Sequence, residues 1–327
     1  MSISSRCSTI SARAHRERRS RTWTSCFPPD GPGGLMDHDA PALPRDLVER
    51  WGITGSVLLA DTRTSHVYRV QRQDAPPAIV KLLKPQGQHE RPGMDFLAWR
   101  AGAGAVHLID QEGDTCLLED AGTTDLRTWR LEHGEAAANG VIAGVISLLQ
   151  SASTASPPCG LLPLRRHFRA LFQQAERQPV SELQQSLRWA AKTADELLNT
   201  QNAVRPLHGD LHHENIICGK ARGWLAIDPQ GLIGDPAYEA ANIFGNPDGA
   251  FPDIIDPVRI TSLAKLLAPA IGTSPEKIFG YAIAHAGLSL SWSLEDGRPL
   301  SEGSDGFERF AFLKLARKLT DEGTFSS

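Results

Sequence analysis

The sequence predicts an α+β fold of two lobes, a small β-rich lobe followed by a larger helical lobe. Between residues 55 and 120, short runs rich in Val, Ile and Leu are separated by Gly, Pro and Asp, which is the pattern of strands joined by turns. After Gly122 the apolar residues recur instead at the spacing of amphipathic helices. This change of period places the boundary between the lobes near residue 122.

The β-rich lobe contains one predicted helix and several predicted strands. The helix covers residues 94–102. The strands cover residues 55–61, 66–72, 78–83, 105–110 and 115–120. Asp74, Pro76 and Pro77 predict the turn between the second and third strands, because these residues favour turns. We therefore expect a small sheet with one inserted helix.

The second lobe contains a series of predicted helices. In residues 135–150, Val141, Val145 and Leu148 are expected on one buried face. Residues 183–200 carry an apolar stripe at helical spacing, and residues 165–175 form a shorter segment of the same kind. Two further apolar segments near the C-terminus predict the last helices, so the second lobe is mainly α-helical.

Residues 1–36 differ in composition from the rest of the chain. They are rich in Ser and Arg and have no apolar periodicity, so we expect a disordered leader or a start codon upstream of the true one at Met36. A transit peptide has a similar composition, whereas a secretory signal would need an apolar segment. The predicted lobes are then residues 37–122, with a hinge at about 117–122, and residues 123–327.

Composition excludes several classes of partner. The 327-residue chain has a formal net charge of −4, so nucleic acid is not an expected partner. Its five cysteines form no CxxC pair, which argues against a disulfide framework and favours the reducing cytoplasm. No apolar run approaches the roughly 20 residues of a spanning helix, so we expect no membrane partner. The absence of GxxxxGK[ST] and GxGxxG argues against P-loop ATPases and Rossmann dehydrogenases.

The segment from Leu207 to Phe244 carries the candidate chemistry. Residues 216–227 are two short apolar runs joined by a polar, glycine-containing stretch, which is typical of a β-hairpin. A hairpin would return Asp228 to the side of Asn215, and Asp210 lies only five residues before Asn215. Carboxylate and amide oxygens of this kind suit Mg²⁺ that shares its coordination sphere with substrate phosphates. The pattern therefore predicts phosphoryl transfer, in which one carboxylate accepts the hydroxyl proton and the other groups hold metal.

Lys81 lies in the third predicted strand and is the candidate phosphate-binding lysine. Its apolar surroundings make an unpaired ammonium group costly, so an anionic partner is expected. Glu90 and Asp95 are both candidates, and Pro92 indicates a helix that begins after Glu90. The sequence leaves this choice open.

The motif HGDLHHEN…IDPQGLIGDPAYE, together with the upstream AIVK, resembles the aminoglycoside phosphotransferase family, which has a protein-kinase-like fold. The segments RAGAGAVHLID and RGWLAIDPQGLIGDPAYEAANIF resemble the branch of streptomycin 6-kinases and hydroxyurea phosphotransferases. The resemblance covers about residue 45 to the C-terminus.

By this resemblance Asp210 is the catalytic base, Asn215 and Asp228 are Mg²⁺ ligands, and Lys81 contacts the phosphates of ATP. The segment LLEDAG, with Glu119 and Ala121, matches the hinge that holds adenine through backbone groups.

The sequence departs from the protein-kinase pattern at two places. Asp228 is followed by Pro229 and Gln230 instead of Phe-Gly, so an activation-loop switch is not implied. The segment ADTRTSHVYRV has no glycine, and we infer that small polar residues such as Ser65 face the phosphates instead.

Other polar residues have a structural and a functional interpretation. A zinc site formed by His208, His212 and His213 is disfavoured, because a catalytic zinc site usually needs three protein ligands in fixed geometry. Instead, His208 is expected to brace the catalytic loop by hydrogen bonds, and His212 and His213 are expected to be polar loop residues near the substrate. Asp235 and Pro236 predict a helix N-cap followed by proline. Further candidates beside the substrate are Glu239, Trp292, Glu295 and Asp296. Trp292 could equally be a core residue. Glu295 and Asp296, with Glu302 and Asp305 of the same segment, form either a solvated acidic loop or a cation-binding surface for a guanidinium-bearing aminoglycoside.

The resemblance implies transfer of the γ-phosphoryl group of ATP to a hydroxyl of streptomycin, at position 6, which would give resistance. The alternatives are a kinase for another aminoglycoside, for hydroxyurea or for a metabolite. A pseudokinase binding module is a further alternative, and the presence of Lys81, Asp210, Asn215 and Asp228 argues against it.

Overall fold

The computed structural model describes residues 41–177, 181–219 and 222–325. The expected leader at residues 1–36 lies outside these residues. Two parts are present, an N-terminal sheet and a C-terminal helical lobe. This is the predicted two-lobed α+β architecture of protein-kinase type.

The N-terminal sheet has five strands in the order β1-β2-β3-β5-β4, and every neighbouring pair is antiparallel. From residue 41 onwards this part has two helices, α1 (Arg45–Arg50) and α2 (Arg91–Arg100), and a 3₁₀ helix at Pro85–Glu90 leads into α2. The strands are β1 (Ile53–Asp61), β2 (Ser65–Arg72), β3 (Ala75–Leu83), β4 (Leu108–Glu112) and β5 (Thr115–Glu119).

Two details of the predicted sheet are wrong. Pro76 and Pro77 lie inside β3, where both side chains are exposed and the β2–β3 pairing is irregular. The missing N–H groups of the two prolines therefore do not interrupt a regular ladder of hydrogen bonds. Residues 105–107 do not belong to β4. Ala105 instead bridges to Ala226 and the backbone N–H of Val106 donates to the carbonyl of Ala226, which ties this segment to the second lobe.

The alternation of side chains along β3 separates two apolar clusters. Ala78 and Val80 pack with residues of α1 on one face of the sheet. Ile79 and Leu83 face the larger core that continues into the second lobe. Because successive side chains point to opposite faces, Lys81 lies on the same face as Ile79 and Leu83. The strand period therefore directs Lys81 towards the second lobe.

The second lobe contains nine helices and five short strands among the described residues. The helices are α3 (Leu126–His133), α4 (Glu135–Leu149), α5 (Leu164–His167), α6 (Arg169–Ala175), α7 (Glu182–Asn199), α8 (Phe251–Ile254), α9 (Pro257–Ile271), α10 (Pro275–Glu295) and α11 (Asp305–Asp321). The strands are β6 (Leu162–Pro163), β7 (Arg205–Leu207), β8 (Ile216–Cys218), β9 (Trp224–Ala226) and β10 (Leu232–Gly234). The lobe also contains 3₁₀ helices at His213–Asn215 and at Pro236–Gly245.

Helix α10 is the central element of this lobe and packs against α7, α9, α11 and the 3₁₀ helix at Pro236–Gly245. The predicted face of α4 is partly wrong, because Leu148 is half exposed while Ile142, Ile146 and Leu149 are buried with Val145. Apolar residues occur on nearly every side of α4, so periodicity could not identify its buried face. Among the described residues no helix combines the length and apolarity needed to span a membrane.

Candidate active site

The predicted hairpin is present and brings two site residues together. Strands β8 and β9 pair antiparallel, with Ile216 opposite Ala226. Just beyond this pair, the backbone N–H of Ile227 donates to the carbonyl oxygen of Asn215 at 2.9 Å. Asn215 ends the turn before β8 and Asp228 follows β9. The two side chains expected to share a metal ion therefore leave neighbouring ends of one hairpin.

Asp210 lies in the loop between β7 and this hairpin. The Asn215 side-chain N–H donates to the backbone carbonyl of Asp210 at 2.9 Å. The carboxylate of Asp210 accepts a hydrogen bond from Asn242 Nδ2 at 2.8 Å, through Oδ1. Its Oδ2 atom has longer contacts, 3.4 Å to Asn215 Nδ2 and 3.9 Å to His212 Nε2. Oδ2 is therefore the more accessible proton acceptor.

His208 braces this loop, as the sequence predicts. Its Nε2 atom lies 2.8 Å from the carbonyl oxygen of Ile227, and its Nδ1 accepts from the backbone N–H of Asp210 at 3.3 Å. Burial lowers the pKa of His208 to about 4, so the ring is neutral with its proton on Nε2. One imidazole therefore links the Asp210 loop to the end of the hairpin.

Glu239, a candidate beside the substrate, lies in the interior against the loop that carries Asp210. Its buried carboxylate accepts the backbone N–H groups of His208 and Gly209, each at 3.0 Å. Burial raises the pKa of Glu239 to about 7, although these two N–H groups favour its charged form. Glu239 acts as an internal anchor of the loop that carries Asp210.

The pKa of Asp210 reflects its burial and the charges of its neighbours. Burial raises the pKa of Asp210 to about 6, the positive charge of His212 opposes this rise, and Asp228 adds to it. Burial would lower the pKa of His212, but its hydrogen bond to Glu214 at 2.8 Å and the charge of Asp210 raise it to about 9. His212 is thus a cation at neutral pH and lies between two carboxylates.

Lys81 is buried and forms two ion pairs, with Glu90 at 2.7 Å and with Asp228. Burial would lower the pKa of Lys81, but Asp228 and Glu90 outweigh it and raise the pKa. The structure thus resolves the choice that the sequence leaves open. Asp95 is not the partner, since its carboxylate lies against Gly160 on another side of α2.

Two glycines explain how Glu90 reaches this position. A Cβ atom at Gly93 would lie 1.9 Å from the carbonyl oxygen of Pro229, and one at Gly231 would lie 2.1 Å from the backbone of Pro92. Only glycine allows the first turn of α2 to touch the segment after Asp228 so closely. Glu90, at the N-cap position of α2, is thereby held beside Lys81 and Asp228.

The residues around Asn215 fit a divalent cation. Asn215 is 1% exposed, and its Oδ1 atom has no hydrogen-bond partner among residues 41–177, 181–219 and 222–325. A buried acceptor without a donor is costly, and a hard cation that takes oxygen ligands would satisfy it. Asp228 adopts a left-handed backbone conformation, with φ of 58°, as residues at functional sites often do. An amide oxygen and a carboxylate beside a candidate phosphate site suit Mg²⁺.

The residues expected to contact nucleotide lie along the N-terminal sheet and the connection after it. Ser65 is buried at the start of β2, and its backbone N–H donates to Thr62 Oγ1 at 2.9 Å within the β1–β2 turn. Glu119 ends β5, and its carboxylate pairs with Arg222 and accepts the backbone N–H of His107. Ala121 is buried in the connection that follows.

A cavity of about 350 Å³ opens beside Asp210 in the second lobe. Trp292 and Asp296 line it, as expected for residues that flank a substrate. Glu295 lies instead in a neighbouring cavity on the other side of Trp292. His213 lines neither cavity. It is fully buried, and its ring nitrogens have no hydrogen-bond partner within the described part of the chain, so the structure does not bring this candidate to the cavity wall.

Sequence reasoning missed several residues of this cavity. They include Glu214, Asn242, Asp248, His285, Ser289 and Arg309. Asp248 follows the 3₁₀ helix at Pro236–Gly245. His285 carried a usable signal, because it is a titratable residue within the apolar segment FGYAIAHAGLSLSW of a buried helix.

The sequence model of the aminoglycoside/hydroxyurea antibiotic resistance kinases matches residues 50–297. The chain is 34% identical over 256 residues to a streptomycin 3''-kinase from Klebsiella pneumoniae, covering 76% of this chain and 92% of that relative. It is 30% identical over 268 residues to a streptomycin 6-kinase from Streptomyces glaucescens, covering 79% and 84%.

Among solved structures, the fold resembles choline kinase LicA from Streptococcus pneumoniae. The TM-score is 0.58 at 15% identity, with 84% of this chain and 97% of the other covered. LicA has also been solved in complex with AMP, and that structure matches with a TM-score of 0.54 at 16% identity over 81% and 92% of the two chains. These likenesses show a kinase-like fold.

Proposed function

Because the chain belongs to the family of aminoglycoside/hydroxyurea antibiotic resistance kinases, we propose that it transfers the γ-phosphoryl group of ATP to a hydroxyl of streptomycin. The observation that carries this proposal is the convergence of Asp210, Asn215 and Asp228 opposite the Lys81–Glu90 ion pair. A base, two oxygen ligands and a phosphate-binding cation are the parts that phosphoryl transfer requires.

The nucleotide would occupy the space between the two lobes. Lys81 would bind its phosphates, with Glu90 holding the ammonium group in place, and Ser65 would face them from the β1–β2 turn. The backbone near Glu119 and Ala121 would hold adenine. Asn215 and Asp228 would hold Mg²⁺, which neutralises phosphate oxygens when bound.

Asp210 would accept the proton of the attacking hydroxyl. Its Oδ1 atom is already engaged by Asn242, so the proton would go to Oδ2. The carboxylate lies on the wall of the 350 Å³ cavity, and a hydroxyl bound there is within reach of it. His208 and Glu239 would keep the loop in position without touching the substrate.

The charges of the cavity support a cationic substrate. The acidic side chains of its wall outnumber the cationic ones, which are His212, Arg298 and Arg309. The acids are Glu90, Asp210, Glu214, Asp228, Asp248, Asp296 and Asp305. Glu214 and Asp248 also line an adjoining cavity of about 580 Å³, so an elongated molecule could extend from one into the other. Streptomycin bears guanidinium groups, which pair well with carboxylates.

Two hydroxyl groups are candidate acceptors. The 6-hydroxyl is favoured by the motif resemblance and by the 6-kinase relative at 30% identity. The 3''-hydroxyl is a second candidate, because the 3''-kinase relative is 34% identical over a similar length. Phosphorylation at either position would add about −1.5 to −2 charge to the drug and weaken its binding to an anionic target.

The setting of the enzyme is also part of the proposal. A net charge of −4 and the scattered cysteines favour a cytoplasmic enzyme whose partner is the small molecule alone, with neither nucleic acid nor membrane involved.

The test is a coupled assay of ADP release with streptomycin, hydroxyurea and a second aminoglycoside as acceptors. We expect turnover with streptomycin that excess chelator abolishes. Phosphorus–proton correlation NMR of the product identifies the esterified carbon and so decides between positions 6 and 3''. Turnover only with hydroxyurea or another acceptor would overturn the substrate assignment, and nucleotide binding without turnover on any acceptor would indicate a binding module.

A further inference from the structure

A chain of hydrogen bonds runs from Asp210 into the interior of the second lobe. Asn242 Nδ2 donates to Asp210 Oδ1 at 2.8 Å, and His285 Nε2 lies 3.0 Å from Asn242 Oδ1. The other nitrogen of the same ring, Nδ1, lies 2.8 Å from the Tyr238 hydroxyl, which is in turn 2.8 Å from His167 Nε2. Five side chains, from α5, the 3₁₀ helix at Pro236–Gly245, α10 and the Asp210 loop, are therefore connected without a gap.

The charge of Asp210 fixes the direction of every bond in this chain. An ionised carboxylate can only accept, so Asn242 must present its N–H₂ group to Asp210 and its oxygen to His285. His285 must then carry its proton on Nε2 and accept from the Tyr238 hydroxyl on Nδ1. Tyr238, having donated its only proton, must accept from His167 Nε2.

Two independent features agree with this direction. Asn246 Nδ2 donates to Asn242 Oδ1 at 2.9 Å, so the oxygen of Asn242 is identified by a second donor. Burial lowers the pKa of His285 well below its usual value and that of His167 to about 4, so each ring is neutral and has one N–H and one acceptor nitrogen. A single assignment of protons satisfies the whole chain.

We propose that Asn242, His285, Tyr238 and His167 form a positioning chain that fixes the Asp210 carboxylate through Oδ1 and leaves Oδ2 to face the substrate hydroxyl. This inference rests on the proposed role of Asp210 as the base. Tyr238 and His167 do not line the cavity beside Asp210, so they act through the chain and not by binding the substrate. Tyr238 is only 2% exposed, so bulk water cannot replace a hydrogen bond that is lost at its hydroxyl.

The chain offers a matched pair of tyrosines for the test. Tyr238→Phe removes the hydroxyl that links His285 to His167. Tyr281→Phe removes a hydroxyl that is equally buried, 5.8 Å away between ring centroids, and without a hydrogen-bond partner in the part of the chain that the structure describes. Both variants keep the ring and its packing, so only the role of the hydroxyl differs.

In the full-length enzyme we expect Tyr238→Phe to lower kcat by roughly 3- to 10-fold, the loss of one neutral hydrogen bond, while KM for ATP and streptomycin stays within about 2-fold. Tyr281→Phe should leave kcat unchanged. His285→Leu should lower kcat further, and His285→Gln should restore part of it, because a glutamine amide offers one donor and one acceptor. Equal kcat in Tyr238→Phe, Tyr281→Phe and wild type would overturn the proposal.

A second measurement does not depend on activity or on the folding of any kinetic variant. In wild-type protein labelled with ¹⁵N-histidine, the nitrogen shifts of His285 and His167 should each report a neutral ring protonated at Nε2. The signals that disappear in His285→Gln identify His285. Should that variant not fold, selective ¹³C,¹⁵N labelling of Ala–His pairs identifies it instead, with Ala14→Gly removing the signal of the other such pair, Ala14–His15. A neutral His285 ring with its proton on Nδ1 would contradict the proposed hydrogen-bond chain. Failure of wild type to phosphorylate streptomycin would refute the proposed substrate alone. The tautomers of His285 and His167 would still test whether the hydrogen-bond chain exists.

Discussion

The ammonium group of Lys81 lies 2.7 Å from the carboxylate of Glu90 and also forms an ion pair with Asp228. One buried cation therefore connects β3, the start of α2 and the end of the β8–β9 hairpin. These three elements come from both lobes, so the contact fixes the relative position of the candidate phosphate-binding and metal-binding groups. The closeness of α2 to the hairpin depends on Gly93 and Gly231, at which a side chain would collide with backbone.

Glu90→Gln should impair catalysis through Lys81. Removing the charge of Glu90 leaves Lys81 paired with Asp228 alone. Lys81 is then held less firmly against the phosphates, and it competes with the metal ion for the Asp228 carboxylate. We expect kcat/KM for ATP to fall by roughly 10- to 100-fold, the equivalent of one lost charged hydrogen bond. The control is Asp95→Asn, which should behave like wild type in steady-state kinetics. Equal losses in both variants would contradict the assignment of Glu90.

Asp228→Asn should remove the metal-binding carboxylate without disturbing the backbone. Asparagine tolerates the left-handed conformation found at position 228, so the substitution changes charge with little strain. Phosphate neutralisation by a metal ion is worth several kcal/mol, and we expect activity to fall by at least about 10²-fold. Circular dichroism should show an unchanged fold, and titration with Mn²⁺ followed by electron paramagnetic resonance should show weaker binding. Near-normal turnover of the variant would exclude Asp228 as a ligand.

The sequence predicted the core of this site because its parts are local. Asp210, Asn215 and Asp228 lie on one loop and one hairpin, and a hairpin has only one way to return its chain. Lys81 was predictable because the period of a strand decides the face of a side chain. The partner of Lys81 was not, since the 3₁₀ helix at Pro85–Glu90 and the close contact at Gly93 depend on tertiary packing.

The polar residues of the second lobe were harder to interpret. Glu239 is 29 residues from Asp210 and His285 is 75 residues away, so no spacing rule connects them. His213 is adjacent to cavity residues in sequence, but its side chain points into the core. Adjacent residues of a loop can face opposite directions, and the sequence does not say which of His212 and His213 lines the cavity.

Asp210→Asn should separate chemistry from binding. The amide is nearly isosteric and can still accept a hydrogen bond from Asn242, but it cannot accept the proton of the hydroxyl. Positioned proton transfer contributes about 10²- to 10⁴-fold, and we expect kcat to fall within that range. Calorimetric titration of the variant with streptomycin should give an affinity close to that of wild type. A kcat equal to that of wild type would remove Asp210 from its role as base.

Glu135 should stabilise the second lobe in a pH-dependent way. Its carboxylate pairs with Arg259 at 2.7 Å and with Arg130, joining α4 to α9 and α3. Burial would raise the pKa of Glu135, but the two guanidinium groups outweigh it and lower the pKa to about 2. Because the pKa is lower in the folded state, this stabilisation is present above the ordinary value of 4.5 and is lost as the pH falls towards 2.

Glu135→Gln should therefore lower the free energy of unfolding by about 1–3 kcal/mol at neutral pH. Urea denaturation at neutral pH and at about pH 3 should show the difference between variant and wild type shrinking as Glu135 becomes protonated. Glu132→Gln is the control, since Glu132 is exposed on the neighbouring helix and should have no measurable effect. A difference that stays constant with pH would show that the ion pairs are not its origin.

The ion pairs of Arg298 predict opposite effects on KM for streptomycin when Arg298 is replaced and when its acidic partners are replaced. Its guanidinium group lies 2.6 Å from Asp296 and 3.7 Å from Asp305, where it would compete with a guanidinium group of the drug. Asp296→Asn and Asp305→Asn should each raise KM for streptomycin, by up to about 5-fold because the pairs are partly exposed. Arg298→Gln should lower KM for streptomycin, since it frees both carboxylates, and KM for ATP should not change in any of the three variants.

Glu302→Gln is the matched control, because Glu302 is an exposed acid of the same loop and does not line the cavity. High salt should raise KM of wild type and narrow these differences, as screening weakens exposed charge pairs. A rise in KM for Arg298→Gln would mean that the arginine helps to bind the substrate and does not compete with it.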